Sequence, residues 1–124
     1  MRLPTITILT PEELPIIFGR SLDGPDKTIV SDIINAHGFV LFRGYDNASA
    51  EDFHAFIECF DLPNFTYSES FSNAVRHNRT VRVFTANEAP PEVEIFLHHE
   101  MAQTLSFPGQ LFFFWEHAAD SGGA

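Results

Sequence analysis

His98 and Glu100 are the residues of this sequence best placed to do chemistry on a metal. They stand two apart in Phe96-Leu97-His98-His99-Glu100-Met101. In an extended strand successive side chains alternate between faces, so His98 and Glu100 share one face and His99 takes the other. An imidazole and a carboxylate side by side on a rigid strand are two of the three groups of a facial 2-His-1-carboxylate site. Such a site leaves positions open on iron(II) for oxygen and a chelating co-substrate. Taken alone, His-x-Glu is a weak motif, because a chain with six His and 17 acidic residues produces one by chance. Its weight comes from its surroundings.

The remaining histidines do not complete the site by spacing. His37 and His54 fall in helical segments, where polar or helix-end roles are expected, and His77 sits in a long loop. His117 closes the strand that follows the motif. If residues 96–101 and 110–116 form a hairpin about Ser106, it lies beyond the pairing partner of His98 and out of reach. His99, on the opposite face, is expected to pack. A cupin-type metal enzyme would need a second histidine-bearing motif, and the chain offers none.

The elements that must position this pair follow from periodicity. Thr5-Ile6-Thr7-Ile8 reads as a strand, and Thr10-Pro11-Glu12-Glu13 as a short helix start with Thr10 as N-cap. Ile29, Val30, Ile33 and Ile34 recur at helical spacing, which predicts a helix over residues 27–37 with Gly38 as its stop. Phe39-Val40-Leu41-Phe42 reads as a strand closed by Arg43-Gly44. A second helix begins at Ser49, with Asp52 three residues on, and buries Phe53, Phe56, Ile57 and Phe60. Residues 61–78 lack periodicity and read as a long loop, a candidate lid in which Tyr67, Ser68, Asn73 and Arg76 are candidate substrate contacts. Strands are expected at 80–86, 94–101 and 110–116, with Pro108-Gly109 in the last turn. Helices first and strands later point to an α+β chain with a mainly antiparallel sheet.

Composition narrows the class. The 44% hydrophobic and 19% charged content is that of a globular chain, and residues 1–124 fall in the size range of a single domain. Fourteen Phe against one Trp and two Tyr put large apolar area without polar handles into the core. A net charge of −10 repels a phosphate backbone and argues against nucleic acid as a partner. No apolar run reaches membrane-spanning length, and the chain does not open on a secretory signal. The single cysteine, Cys59, allows no internal disulfide, as expected for the cytoplasm.

The order of features after the metal pair resembles the taurine dioxygenase (TauD/TfdA) family of 2-oxoglutarate oxygenases. Pro108, the apolar run Leu111-Phe112-Phe113-Phe114, Glu116, Ala118-Ala119 and Gly122-Gly123 follow in turn. In the family a His-x-Asp/Glu strand precedes an apolar strand, a Pro-Ala-type turn and a Gly-Gly-x-Thr motif. Upstream, Gly38-Phe39-Val40-Leu41-Phe42-Arg43-Gly44 looks like the family's early buried strand. Val83-Phe84-Thr85-Ala86-Asn87-Glu88-Ala89-Pro90-Pro91 resembles the lead-in to the metal strand in members acting on amino-acid-like substrates.

The resemblance implies the amino-terminal part of a double-stranded β-helix (jelly-roll) with flanking helices and an incomplete sheet. It implies His98 and Glu100 as metal ligands, Fe(II) as cofactor and 2-oxoglutarate as co-substrate. The reaction would couple oxidative decarboxylation of 2-oxoglutarate to attack on an unactivated C–H bond of an amino-acid-like or carrier-tethered small molecule. A carboxylate at position 100 favours hydroxylation, since related halogenases carry a small residue there. The family's second iron-binding histidine, its 2-oxoglutarate arginine and the threonine of Gly-Gly-x-Thr lie further along, and this chain stops at Ala124, one residue before that threonine. Trp115 stands where the family often has a small residue. An incomplete, inactive oxygenase fragment is therefore the expectation, and a non-catalytic interaction module derived from the same fold is the alternative.

Overall fold

The computed structural model describes residues 11–19, 24–65, 75–86, 88–90, 92–96, 98, 101, 104–117 and 120. The expected strand at 5–8 and the Thr10 cap lie outside the described residues. The chain divides into two compact units, Met1–Asp46 and Asn47–Ala124.

The first unit is a short β-α-β turn. A 3-10 turn at Pro11–Glu13 leads into β1 (Ile16–Phe18), α1 covers Lys27–His37, and β2 covers Leu41–Arg43. Helix α1 lies where the isoleucine spacing puts it. Asp26 caps its start, Oδ1 accepting from the amides of Thr28 at 2.8 Å and Ile29 at 3.2 Å. Gly38 closes it in the left-handed region at φ 82°, its N–H donating to Ile34 O at 2.7 Å. Val30 is the buried residue of this helix.

Strands β1 and β2 are parallel, with Ile16 opposite Leu41, Ile17 opposite Phe42 and Phe18 opposite Arg43. A mainly antiparallel sheet was expected; among the described residues the only sheet is this parallel pair. Parallel neighbours need a long crossover, and α1 supplies it. Strand β1 was not foreseen, because three residues between Pro15 and Gly19 are too few to show a period. Strand β2 starts two residues later than expected, since Phe39 and Val40 carry the chain out of the left-handed turn at Gly38.

Past β2 the chain reverses sharply. Gly44 has φ 75°, and a Cβ there would lie 2.9 Å from Gly19 O. Tyr45 folds back edge-on to Phe42, with ring centroids 5.8 Å apart, and covers Gly19 so closely that a side chain on Gly19 would collide with its ring. Partial burial raises the Tyr45 phenol above its ordinary pKa.

The second unit is built on α2 (Ala50–Glu58). Ser49 Oγ accepts from the Asp52 amide at 3.1 Å and donates to Asp52 Oδ2 at 2.8 Å, while the Ala48 amide donates to the same oxygen at 3.2 Å. This is the reciprocal cap that the Ser49/Asp52 spacing predicts. Ala50, Phe53, Phe56 and Ile57 form the buried stripe. Asp61, at φ 53°, turns the chain off the helix.

Residues 110–116 form no ladder among the described residues, contrary to expectation, yet they keep a strand's alternation. Phe114 stacks on Phe53 at 5.2 Å and Phe112 packs on Phe60 at 5.2 Å. Between and beside them Phe113 and Trp115 are 70% and 68% exposed. One face therefore packs on α2 and the other has no cover in this unit.

The expected strand at 80–86 is also corrected. Residues 75–88 double back as a hairpin: Asn78 and Phe84 form an antiparallel bridge, Thr85 N donates to His77 O at 2.9 Å, and Glu88 N donates to Val75 O at 3.0 Å. The Thr80 hydroxyl makes the turn by accepting from the amides of Arg82 and Val83 at 3.2 and 3.0 Å. The expected strand at 94–101 has no ladder among its described residues, and Met101 leaves the extended region at φ 60°.

Two outcomes test this account. Gly44→Ala places a Cβ against Gly19 O on a left-handed backbone, and urea unfolding should show a loss of about 1–3 kcal/mol. Unchanged stability would refute the turn. The Ser49 hydroxyl first, and the Ala48 amide second, hold the Asp52 carboxyl below the usual carboxylate range. A lowered folded pKa means that the cap is fully stabilising above the ordinary carboxylate pKa and is lost as pH falls through the folded value. In an NMR titration, Ser49→Ala should raise the Asp52 midpoint toward the ordinary value; an unmoved midpoint would discard the cap.

Candidate metal centre

His98 is exposed and does not sit on a ladder, so the rigid-strand placement expected for it is corrected. The backbone holds its ring instead. Nδ1 lies 2.7 Å from Phe96 O. A carbonyl oxygen can only accept, so Nδ1 carries the proton and the neutral ring has its lone pair on Nε2. A backbone carbonyl on one ring nitrogen with the other as electron-pair donor is the arrangement by which proteins prepare a histidine to bind a metal. The chemistry of this donor fits a divalent iron.

Glu100 and His99 lie outside the described residues. Among the described residues no group of three or more His, Cys, Asp or Glu converges to hold a metal.

His98 lines a cavity of about 1390 Å³ within the second unit. Phe53 and Ile57 of α2 and Phe112 and Phe114 of the facing segment give it apolar walls, and His117 and Trp115 also line it. The ends of the expected lid border the same space through Leu62, Asn64, Phe65 and Val75. Asn64 Nδ2 donates to Val81 O at 3.0 Å, and Arg82 Nη2 donates to Leu62 O at 3.0 Å, so the start of this segment is tied to the hairpin. Arg76 is on the cavity wall, as its candidate role requires, whereas Tyr67, Ser68 and Asn73 lie outside the described residues. Arg79 and Arg82 line the cavity too. Sequence reasoning missed both, although arginines at 76, 79 and 82 form a regular series.

Two of the other histidines, His54 and His77, have side-chain partners. His54 is half-buried, with Nδ1 2.7 Å from Thr80 Oγ1 and Nε2 3.2 Å from Glu58 Oε1. The Thr80 oxygen already accepts two amide N–H groups, so its own proton goes to His54 Nδ1, and the His54 proton sits on Nε2 facing Glu58. His77 Nε2 lies 3.5 Å from Glu88 Oε2 across the hairpin, and His37 ends α1. Hydrogen-bond bookkeeping therefore gives His54 and His98 opposite tautomers. Long-range 1H–15N NMR at neutral pH should find Nε2–H at His54 and Nδ1–H at His98; the same tautomer at both would overturn the assignment.

Comparison with known proteins adds the family. The family described as "Taurine catabolism dioxygenase TauD, TfdA family" matches residues 9–124. A clavaminate synthase-like protein of Arabidopsis thaliana is 41% identical over 97 residues, covering 78% of this chain and 29% of the relative. A dapdiamide synthesis protein of Enterobacter agglomerans is 27% identical over 95 residues, covering 76% of this chain and 28% of the relative. The chain thus spans less than a third of the length of these relatives. No solved structure gives a significant match. With the family matching from residue 9 to the last residue, the chain belongs to the TauD/TfdA family of iron(II)- and 2-oxoglutarate-dependent oxygenases, whose fold is a jelly roll.

Proposed function

We propose that this chain supplies the amino-terminal part of an oxygenase that hydroxylates an amino-acid-like small molecule, free or tethered to a carrier, with His98 and Glu100 as two of three iron ligands. The observation that carries the reading is His98. Inside a segment matched by the oxygenase family, its ring is oriented by Phe96 O on the wall of the large cavity. The names of the two relatives, a clavaminate synthase-like protein and a dapdiamide synthesis protein, support small-molecule chemistry.

If bound here, iron(II) would activate dioxygen, the oxidant, so that one oxygen atom enters a C–H bond and the other converts 2-oxoglutarate to succinate and carbon dioxide. The chain's own residues hold and shield. Phe96 O keeps the proton on Nδ1 of His98, so that Nε2 is the donor atom. Glu100 brings the anionic ligand, and its presence favours hydroxylation over halogenation. Phe53, Phe112 and Phe114 make one wall apolar, which keeps water away from a reactive centre. The third ligand and the 2-oxoglutarate arginine belong to later parts of the family's sequence. No helix among the described residues is long and apolar enough to cross a membrane.

Succinate formation from 2-oxoglutarate with iron(II), assayed on this chain and on a version extended to the next stop codon, tests the reading. The extended protein should turn over with an amino-acid substrate and the 124-residue chain should not. In the extended protein His98→Ala and Glu100→Ala should each weaken iron binding on the order of a hundredfold or more, while His99→Ala leaves it unchanged. Tight iron binding retained by either of the first two variants would remove that residue from the site.

A further inference from the structure

His54 and Thr80 join α2 to the 75–88 hairpin through a hydrogen bond whose donor is settled by counting. Thr80 Oγ1 accepts from the amides of Arg82 at 3.2 Å and Val83 at 3.0 Å. A hydroxyl oxygen has two lone pairs, and both are used. Its own proton is left to bridge the 2.7 Å to His54 Nδ1, which therefore accepts. The contact is part-buried and joins residues 26 apart in sequence, so it fixes the hairpin to the helix as no local contact can.

A second proton on His54 is incompatible with this contact, because both ring nitrogens of an imidazolium donate. Nδ1–H and the Thr80 hydroxyl then meet donor to donor. Turning the hydroxyl away still leaves three N–H groups for two lone pairs. Either the ring leaves the turn, or an amide of Arg82 or Val83 loses its acceptor. Nε2 pulls the other way, since Glu58 Oε1 lies 3.2 Å from it and attracts a charged ring. That carboxylate is 60% exposed, however, against 19% for the His54 side chain. An exposed pair one helical turn apart is screened by water and contributes little. The charged groups of the hairpin are directed elsewhere. Arg82 Nη2 donates to Leu62 O, the Arg76 guanidinium lies over the Phe84 ring, His77 pairs with Glu88, and Arg79 is exposed. The balance at His54 is therefore set by Thr80.

We propose that His54 is a pH-sensitive latch, which holds the 75–88 hairpin on α2 while the ring is neutral and releases it when the ring is charged. The closed turn keeps the ring neutral and the released turn lets it take a proton. The released state thus binds more protons, and it gains as pH falls. The range is that in which histidines change charge, about pH 5 to 8. Val83 and Phe84 of the hairpin line the cavity together with Phe53 and Ile57 of α2. Release therefore frees one wall of that space from the other, so that acid opens the cavity and neutral pH closes it. The latch is made of contacts within the second unit and does not depend on the metal ligands.

Amide hydrogen exchange of the 124-residue chain, followed by 15N NMR from about pH 8 to about pH 5.5 with EDTA present, reads the latch. Each rate is divided by the intrinsic rate of that amide at the same pH. Protection of the Arg82 and Val83 amides should fall about five- to tenfold across the range, while Phe56 and Ile57 on α2 keep theirs. His54→Gln, which has no proton to gain, should show equal protection at both ends. Glu58→Gln should retain the fall, because the carboxylate opposes release. His77→Gln, which removes the other histidine of the hairpin, should retain it too. Thr80→Val should leave both amides unprotected throughout.

Constant protection in the wild-type chain, or a fall that survives in His54→Gln, would overturn the proposal. So would a fall abolished by His77→Gln, which would give the switch to the His77–Glu88 pair, or by Glu58→Gln, which would give it to the helix ion pair. An equal fall at Phe56 and Ile57 would mean that the whole unit opens, and would also remove the latch. A dispersed amide spectrum at both pH values establishes that His54→Gln is folded; if it is not, the Glu58→Gln and His77→Gln results decide.

Discussion

Aromatic burial along one face of α2 is the constraint on which the second unit depends. Ala50, Phe53, Phe56 and Ile57 are its buried stripe, and Phe112 and Phe114 return from far along the chain to pack on Phe60 and Phe53. Burying a side chain of this size contributes about 1.5–3 kcal/mol, and several acting together set where the 110–116 segment can lie. The cavity is the space beside this seam. Its apolar wall and the placement of Trp115 and His117 follow from the two rings held by Phe53 of α2 and by Phe60 just beyond it.

Polar contacts then attach the remaining wall to the seam. The Thr80 hydroxyl serves three neighbours at once, accepting from two amides of its own turn and donating to His54 on α2. A buried or half-buried hydroxyl that satisfies every one of its hydrogen-bonding positions specifies a single geometry. In this way one threonine converts a flexible arginine-bearing turn into a fixed side of the cavity. The Arg82–Leu62 and Asn64–Val81 contacts extend the same fixation to the segment leaving α2.

The exposed face of residues 111–115 shows the other side of the same economy. Leu111, Phe113 and Trp115 alternate with the packed rings as they would on a strand, and they are exposed. A patch of this kind is uncommon on an independently folded surface. It belongs with a family whose jelly roll buries both faces of its sheets, and with relatives more than three times the matched length.

Local physics was legible in the sequence. Helical spacing of Ile29, Val30, Ile33 and Ile34, the left-handed stop at Gly38 and the Ser49–Asp52 cap all depend on residues within four positions of each other, and α1 and α2 formed where those signals placed them. The His-x-Glu pair and its flank identified the family for a similar reason, since a motif's chemistry is carried in its order. Pairing was not legible. Strand β1 exists because β2 lies beside it in parallel across a whole helix. Residues 80–86 became the turn and second arm of a hairpin, because the Thr80 hydroxyl holds the turn and the pairing partner lies at residues 75–78. What ring tautomer His98 holds, and that Arg76, Arg79 and Arg82 share a wall with it, depended on backbone groups and packing that no spacing rule contains. The sequence by itself determined the helices and the family. The tertiary structure alone decided which charges face the cavity, because long-range contacts are selected by total burial and hydrogen-bond satisfaction and not by any local preference.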